Sequence, residues 1–206
     1  AAFVDLKPLF DYYKSMYFGS RTDFDKTTSV GMADNQWPFA FSQLPDSVKP
    51  RVVTTLDLGT RPTAVKASLW GNNLRAWIAT EEGNLSLYNI DGYGNGSGTT
   101  AIGRVGYVPV GPNPVSISYF RGNQDGNAPD PNKTAMVLSR GDKAVRWIDF
   151  NADRNAGAVR KDVLTDSRLA DPIAIEDNEN HGTEARVLSV ADYGGKLLGN
   201  YRWSPV

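Results

Sequence analysis

Three segments of the chain repeat one another, and no other feature constrains the architecture as much, because each unit of a repeat must bury its apolar face against the next. The first segment runs Arg61-Pro62-Thr63-Ala64-Val65, then Leu74-Arg75-Ala76-Trp77-Ile78-Ala79-Thr80, a turn at Glu81-Glu82-Gly83, and Asn84-Leu85-Ser86-Leu87-Tyr88-Asn89-Ile90. The second is Asn113-Pro114-Val115-Ser116-Ile117, Thr134-Ala135-Met136-Val137-Leu138-Ser139, a turn at Arg140-Gly141-Asp142, and Ala144-Val145-Arg146-Trp147-Ile148-Asp149. The third is Asp171-Pro172-Ile173-Ala174-Ile175, Ala185-Arg186-Val187-Leu188-Ser189-Val190, a turn around Tyr193-Gly194-Gly195, and Lys196-Leu197-Leu198-Gly199-Asn200-Tyr201. The prolines stand 52 and 58 residues apart.

Each unit offers up to four short strands, since an extended stretch leads into every proline: residues 52–58, 103–110 and 158–164. Their β-branched and aromatic content, with turns rich in Gly, Asp and Asn, suits half-buried pleated surfaces joined by tight reversals. Leu85, Leu87 and Asn89 alternate onto one face of their strand, as do Val145, Trp147 and Asp149. Trp77-Ile78-Ala79 and Val137-Leu138 are continuous apolar runs, expected of strands packed on both faces. Each proline fits the start of a strand, where a missing amide donor costs least. The period is close to the roughly 40 to 50 residues of common propeller blades with lengthened loops. The sequence therefore predicts an all-β fold, a β-propeller segment of about three four-stranded blades over residues 51–206, divided near 51–101, 102–157 and 158–206.

The repeats, about residues 50 to 203, resemble the YVTN-type propeller repeats of surface-layer and periplasmic proteins. The resemblance rests on Gly/Asn-x-Pro, a run such as Ala76-Trp77-Ile78-Ala79-Thr80, a glycine turn, and an ending such as Leu87-Tyr88-Asn89-Ile90-Asp91. In place of the namesake stretch the second repeat has Met136-Val137-Leu138-Ser139 and the third Val187-Leu188-Ser189-Val190, and the third lacks the valine-aspartate ending. The resemblance implies an exported, extracellular or periplasmic, non-catalytic scaffold or binding module of a cell-surface assembly. The alternative it implies is part of a periplasmic propeller enzyme, an oxidoreductase or metal-dependent hydrolase, with a metal, quinone or haem on the propeller axis.

Propellers close with four to eight blades, and an open fan exposes edges that invite pairing. Three repeats predict part of a longer polypeptide, a ring completed by other chains through open blade edges, or a fourth blade within residues 1–50. The arrival at Trp203-Ser204-Pro205-Val206, just past an outer strand, favours the first two. In the first fifty residues, Leu6, Leu9, Phe10, Tyr13, Met16 and Tyr17 recur at helical spacing, with Asp5 as N-cap, Pro8 in the first turn and Gly19 beyond the end. This predicts an amphipathic helix over residues 5–18 whose aromatic stripe packs rather than binds, and which offers a hook for a partner chain. Residues 20–50, with Trp37-Pro38-Phe39-Ala40-Phe41, read as an irregular arm.

The 206 residues carry 22 basic and 23 acidic side chains without a block of one sign, so no electrostatic attraction to nucleic acid is expected. No apolar run approaches the roughly 18 to 20 residues that a membrane-spanning helix needs. With no cysteine the chain has no disulfide, thiolate metal site, thiol nucleophile or thioether-bound haem. The lone histidine, His181, lies in the polar reversal Asn178-Glu179-Asn180-His181-Gly182, and no Gly-x-Ser-x-Gly elbow accompanies it, so it reads as a turn residue. Hard oxygen ligands gather in two loops: Asn123, Asp125, Asn127 and Asp130 in the second repeat, and Asp149, Asn151, Asp153 and Asn155 after its last strand. Calcium takes such ligands on short turning loops, which makes Asp125, Asn127, Asp130, Asp149, Asn151 and Asp153 the calcium candidates. Asp and Asn also dominate turns for conformational reasons, and Arg154 and Arg160 stand where an EF-hand places its glycine and glutamate. Gly92-Tyr93-Gly94-Asn95-Gly96-Ser97-Gly98 lacks phosphate-binding spacing and reads as a loop, and sequons occur at Asn84, Asn95 and Asn132.

Overall fold

The structure is a computed structural model that describes residues 1–18, 44–68, 74–91, 101–119, 134–178 and 186–203. Among the described residues the chain is mostly β, with one α-helix and four antiparallel sheets of two to four strands, in two compact units, Ala1–Asp57 and Leu58–Val206. None of the described helices is long and apolar enough to cross a membrane.

In the first unit, β1 (Ala2–Asp5) pairs antiparallel with β2 (Arg51–Thr55). The helix α1 (Lys7–Phe18) starts two residues later than its sequence suggests. Phe10 N–H donates to Leu6 O at 3.0 Å, so Leu6 takes the N-cap place, and the Asp5 carboxylate accepts from Lys7 N–H at 2.9 Å one position earlier. Pro8 falls in the first turn, where its missing N–H leaves nothing unpaired. Of the expected apolar stripe, Leu9 and Tyr13 are half-buried, whereas Leu6 and Phe10 are exposed.

In the second unit each proline opens a sheet. Strands β3 (Pro62–Ser68), β4 (Arg75–Thr80), β5 (Asn84–Asn89) and β6 (Gly103–Pro109) form the first in that order. The second runs β7 (Pro114–Tyr119), β8 (Thr134–Ser139), β9 (Ala144–Phe150), β10 (Gly157–Thr165), and the third β11 (Pro172–Asn178), β12 (Arg186–Asp192), β13 (Leu197–Trp203). The strand leading into a proline closes the preceding sheet: β6 hydrogen-bonds to β5 and β10 to β9. Sheet boundaries therefore fall one strand later than the divisions near 102 and 158: the connections at 90–102 and 151–156 turn the chain back onto the strand before, and the short connections into Pro114 and Pro172 lead to a new sheet.

The three sheets repeat in detail. Pro62, Pro114 and Pro172 pair with the last residue of the second strand, Thr80, Ser139 and Asp192, and a one-residue bulge follows each proline. The residue after the second strand donates to the carbonyl before the proline in all three: Glu81 to Arg61 (3.0 Å), Arg140 to Asn113 (2.9 Å) and Tyr193 to Asp171 (3.0 Å). The residue before the third strand has positive φ each time: Gly83 (91°), Lys143 (56°) and Lys196 (51°).

Every residue of β4 and β8 is buried, because these strands are covered on both faces. Trp77, Leu85 and Leu87 of the first sheet meet Val137, Ile148 and Phe150 of the second, with Trp77 and Phe150 stacked 5.1 Å apart. Met136, Leu138, Val145 and Trp147 of the second sheet meet Ile175, Leu188 and Val190 of the third. Alternate residues of β8 thus serve two cores, as the strand period requires.

Candidate functional site

The end of β9 and the reversal that leads into β10 hold the calcium candidates Asp149, Asn151 and Asp153, and each is engaged differently. Both carboxylate oxygens of Asp149 accept from Arg160, Nε at 2.7 Å and Nη2 at 2.8 Å, and Thr134 Oγ1 donates at 2.8 Å. The Arg160 hydrogen bonds outweigh partial burial and hold the Asp149 carboxyl below the usual range. Asn151 Oδ1 accepts from the N–H groups of Asn155 (3.0 Å) and Ala156 (3.2 Å), while its Nδ2 donates to Asn155 Oδ1 at 2.7 Å, so it folds the turn on itself.

Asp153 contributes its backbone. Arg75 on β4, 5% exposed, sends Nη2 to Asp153 O at 2.7 Å and Nε to Arg154 O at 3.1 Å, and Arg154 sits at φ 50° to present that carbonyl. On its own sheet Arg75 Nη1 reaches Leu74 O (2.8 Å), Asn89 Oδ1 (3.1 Å) and Asp91 Oδ2 (3.2 Å). The cation held by these loop carbonyls is a guanidinium from the neighbouring sheet. Gly106 on β6 completes the seat, because a Cβ there would overlap the Asn155 carbonyl. Among the described residues no three or more His, Cys, Asp or Glu side chains gather in a metal-binding group. The sequence signal for this clamp was an arginine inside the otherwise apolar stretch from Leu74 to Ala79.

A second polar device recurs where each proline pairs. Thr80, Ser139 and Asp192 are all buried at that position. Ser139 Oγ donates to Val110 O at 2.5 Å, and Asp192 accepts from the N–H groups of Ala170 (2.6 Å), Asp171 (2.6 Å) and Gly195 (3.2 Å). Burial pushes the Asp192 carboxyl up, but these backbone donors outweigh it and the pKa lies below the ordinary value. Asp171 is held low by its hydrogen bonds from Arg140, Nε to Oδ1 at 2.5 Å and Nη2 to Oδ2 at 2.7 Å, which tie the second sheet to the third.

The first strands lie side by side, β7 between β3 and β11. Ser116 Oγ accepts from Ile175 N–H at 3.1 Å, and Ser118 Oγ from Asp177 N–H at 3.2 Å. Lys66 of β3 and Glu176 of β11 meet at 3.8 Å, spanning β7. On the face of the first sheet turned away from the second, a concavity of about 450 Å³ is lined by Thr80, Asn84, Ser86, Tyr88, Arg104 and Tyr107 among others.

Asp125, Asn127 and Asp130 lie outside the described residues, as do Asn123, His181, Gly92 to Gly98 and the sequons at Asn95 and Asn132. Compared with known proteins, the chain matches no family model, and no curated protein is similar to it.

Proposed function

We propose that the three proline-led sheets are consecutive blades of a β-propeller of the YVTN type. In this reading the protein is a non-catalytic scaffold or binding module of an extracellular or cell-surface assembly. The observation that carries the reading is the side-by-side set of first strands, with Lys66 and Glu176 meeting across β7. Strands separated by a whole sheet come within reach only if all three curve around a common line, as inner strands do around a propeller axis. The repeated bulge after each proline and the repeated backbone bond before it support one blade plan used three times. The scaffold assignment is supported by what the polar groups do: Arg75, Asp192, Ser139 and the Arg140–Asp171 pair fasten one sheet to the next or to its connection.

Intact mass and light scattering on native material test the ring. A polypeptide much larger than 22.5 kDa, or a multimer of a 22.5 kDa chain, supplies the further blades, whereas a stable 22.5 kDa monomer overturns it. Elemental analysis and the absorption spectrum of the same material test the scaffold assignment: a stoichiometric metal, haem or quinone would transfer the function to the enzyme reading.

A further inference from the structure

We infer that the concavity at the proline end of the first sheet binds a neutral saccharide unit. The inference needs only that sheet and the connection into it, not a closed ring. It starts from a place that all three sheets possess, the angle between the third strand and the connection that leads into the proline. The register defines it: Ser86, Arg146 and Gly199 each lie opposite the residue two before the proline-paired one, Ile78, Val137 and Val190. In the second sheet the chain fills this place itself. Arg146 sends Nη1 to Val110 O at 3.1 Å, and a Cβ on Gly111 would run into its guanidinium. In the third sheet Tyr201 folds over Gly199, where a Cβ would meet its ring, and its hydroxyl donates to Asp166 at 2.8 Å. Leu169, buried in the same core as Tyr201, closes that place. In the first sheet the equivalent residue is a serine, which cannot span to the connection as an arginine does. Leu58 and Thr60 of that connection instead stand across a concavity of about 450 Å³.

The lining suits a ligand rich in hydroxyl groups. Thr80, Ser86 and Tyr88, none more than 6% exposed, form the floor with three hydroxyls, each able to donate and to accept. Sugar hydroxyls need such two-way partners, whereas an anion calls for donors only and an apolar ligand for none. At the rim Arg104 and Glu82 supply one charge of each sign, so the site has no net pull on an ion. Tyr107 lies beside them, 59% exposed, and offers a ring face on which the C–H face of a pyranose can lie. The volume falls among those of small-ligand pockets, roughly 300 to 1,000 Å³, and admits a mono- or disaccharide.

Saturation-transfer NMR on the native protein tests this, with glucose, galactose, N-acetylglucosamine, cellobiose and maltose as probes and glucuronate as the charged comparison. At least one neutral sugar should receive saturation and bind with a millimolar or tighter constant. Tyr107→Ala, an exposed change that should leave the circular dichroism spectrum as it was, should weaken that binding by about tenfold. Ser86→Arg, which gives the first sheet the arm that fills the second, should abolish it. No saturation of any neutral sugar overturns the inference, and so does binding that is unchanged by Tyr107→Ala, since the sugar is then held elsewhere. Tighter binding of glucuronate than of glucose overturns the neutral class of ligand. A density map of the native protein in which a side chain from a further sheet fills the concavity, as Arg146 fills the second, overturns the site and leaves the propeller standing.

Discussion

A guanidinium buried between two sheets is stable only while its N–H groups find acceptors, and Arg75 has five oxygens within reach, two of them carbonyls of the Asp153–Arg154 reversal. Arg75→Ala strands those carbonyls and opens the seat against the second sheet. The expected loss is about 2–3 kcal/mol in urea unfolding, and Arg75→Lys should recover little, because an ammonium cannot reproduce the planar fork. Acid acts on a different set of groups. Asp149, Asp171 and Asp192 all have folded-state pKa values below their ordinary ones, through Arg160, Arg140 and backbone donors respectively. A carboxyl depressed on folding contributes stability that is fully present above its unfolded pKa, about 4, and is lost as pH falls through the lower folded value. Thermal unfolding should therefore stay level from neutrality to about pH 4 and weaken steeply below it. Asp192→Asn should be less stable than the parent at pH 7 and should lose less of its stability on acidification, since the amide cannot be titrated.

Two elements carry the turn chemistry of the repeat, the bulge after the proline and the positive-φ residue before the third strand. Lys143 and Lys196 occupy that second position at φ 56° and 51°, a conformation that costs a side chain roughly 1 kcal/mol, so Lys143→Gly should be neutral or stabilising by a few tenths. Gly83→Ala should destabilise, since φ is 91° and the added Cβ would lie 2.7 Å from Gly111 O; chemical denaturation of the pair of variants decides the matter. Leu198 separates the third sheet from the others. It stands where Leu85 and Val145 stand in their sheets, yet it is 64% exposed, beside Ser189 and Asn200, which share a 2.7 Å hydrogen bond. In the 206-residue chain by itself Leu198→Asp should change stability by no more than about 0.5 kcal/mol, while Val145→Asp should prevent folding by placing a carboxylate in an apolar core; in a completed ring, where a further blade would cover that face, Leu198→Asp should destabilise. The prolines, the glycine turns and the double-sided apolar runs made these elements legible in the sequence. The partner of each fourth strand was not, because hydrogen-bond pairing depends on which reversal closes and both neighbours read as extended. Strand β1 escaped for a simpler reason: four residues carry too little alternation, and its partner lies beyond the helix. Among site residues Asp149 and Asn151 stood out by composition, but composition cannot distinguish a metal ligand from an ion-pair partner or a turn cap, and Arg75, marked only as a charge within an apolar run, has no identifiable acceptors until the loop it holds is in place.

At the scale of the second unit, three sheets are stacked so that among the described residues each shares an apolar core only with its neighbour, the first and third meeting through the Lys66–Glu176 pair, and the middle sheet belongs to both cores. Such an arrangement behaves as a short one-dimensional array in which the end sheets can loosen without the middle one, but not the reverse. Strand β8 makes this testable, because adjacent residues point to opposite cores: Val137 faces the first sheet and Met136 the third, and both are fully buried. Truncating either to alanine leaves a cavity worth about 2 kcal/mol or more. The two variants should lose similar stability and yet differ in where they open. In hydrogen exchange, Val137→Ala should speed the amides of β3 to β6 and leave β11 to β13 near their parent rates, and Met136→Ala should do the opposite. In the parent protein β8 itself should exchange slowest, because it has a strand on each edge and a core on each face, so its amides open only when both interfaces part. Equal acceleration of all three sheets by either variant would show that the stack unfolds as one cooperative block, and the description as an array of separable sheets would then fail.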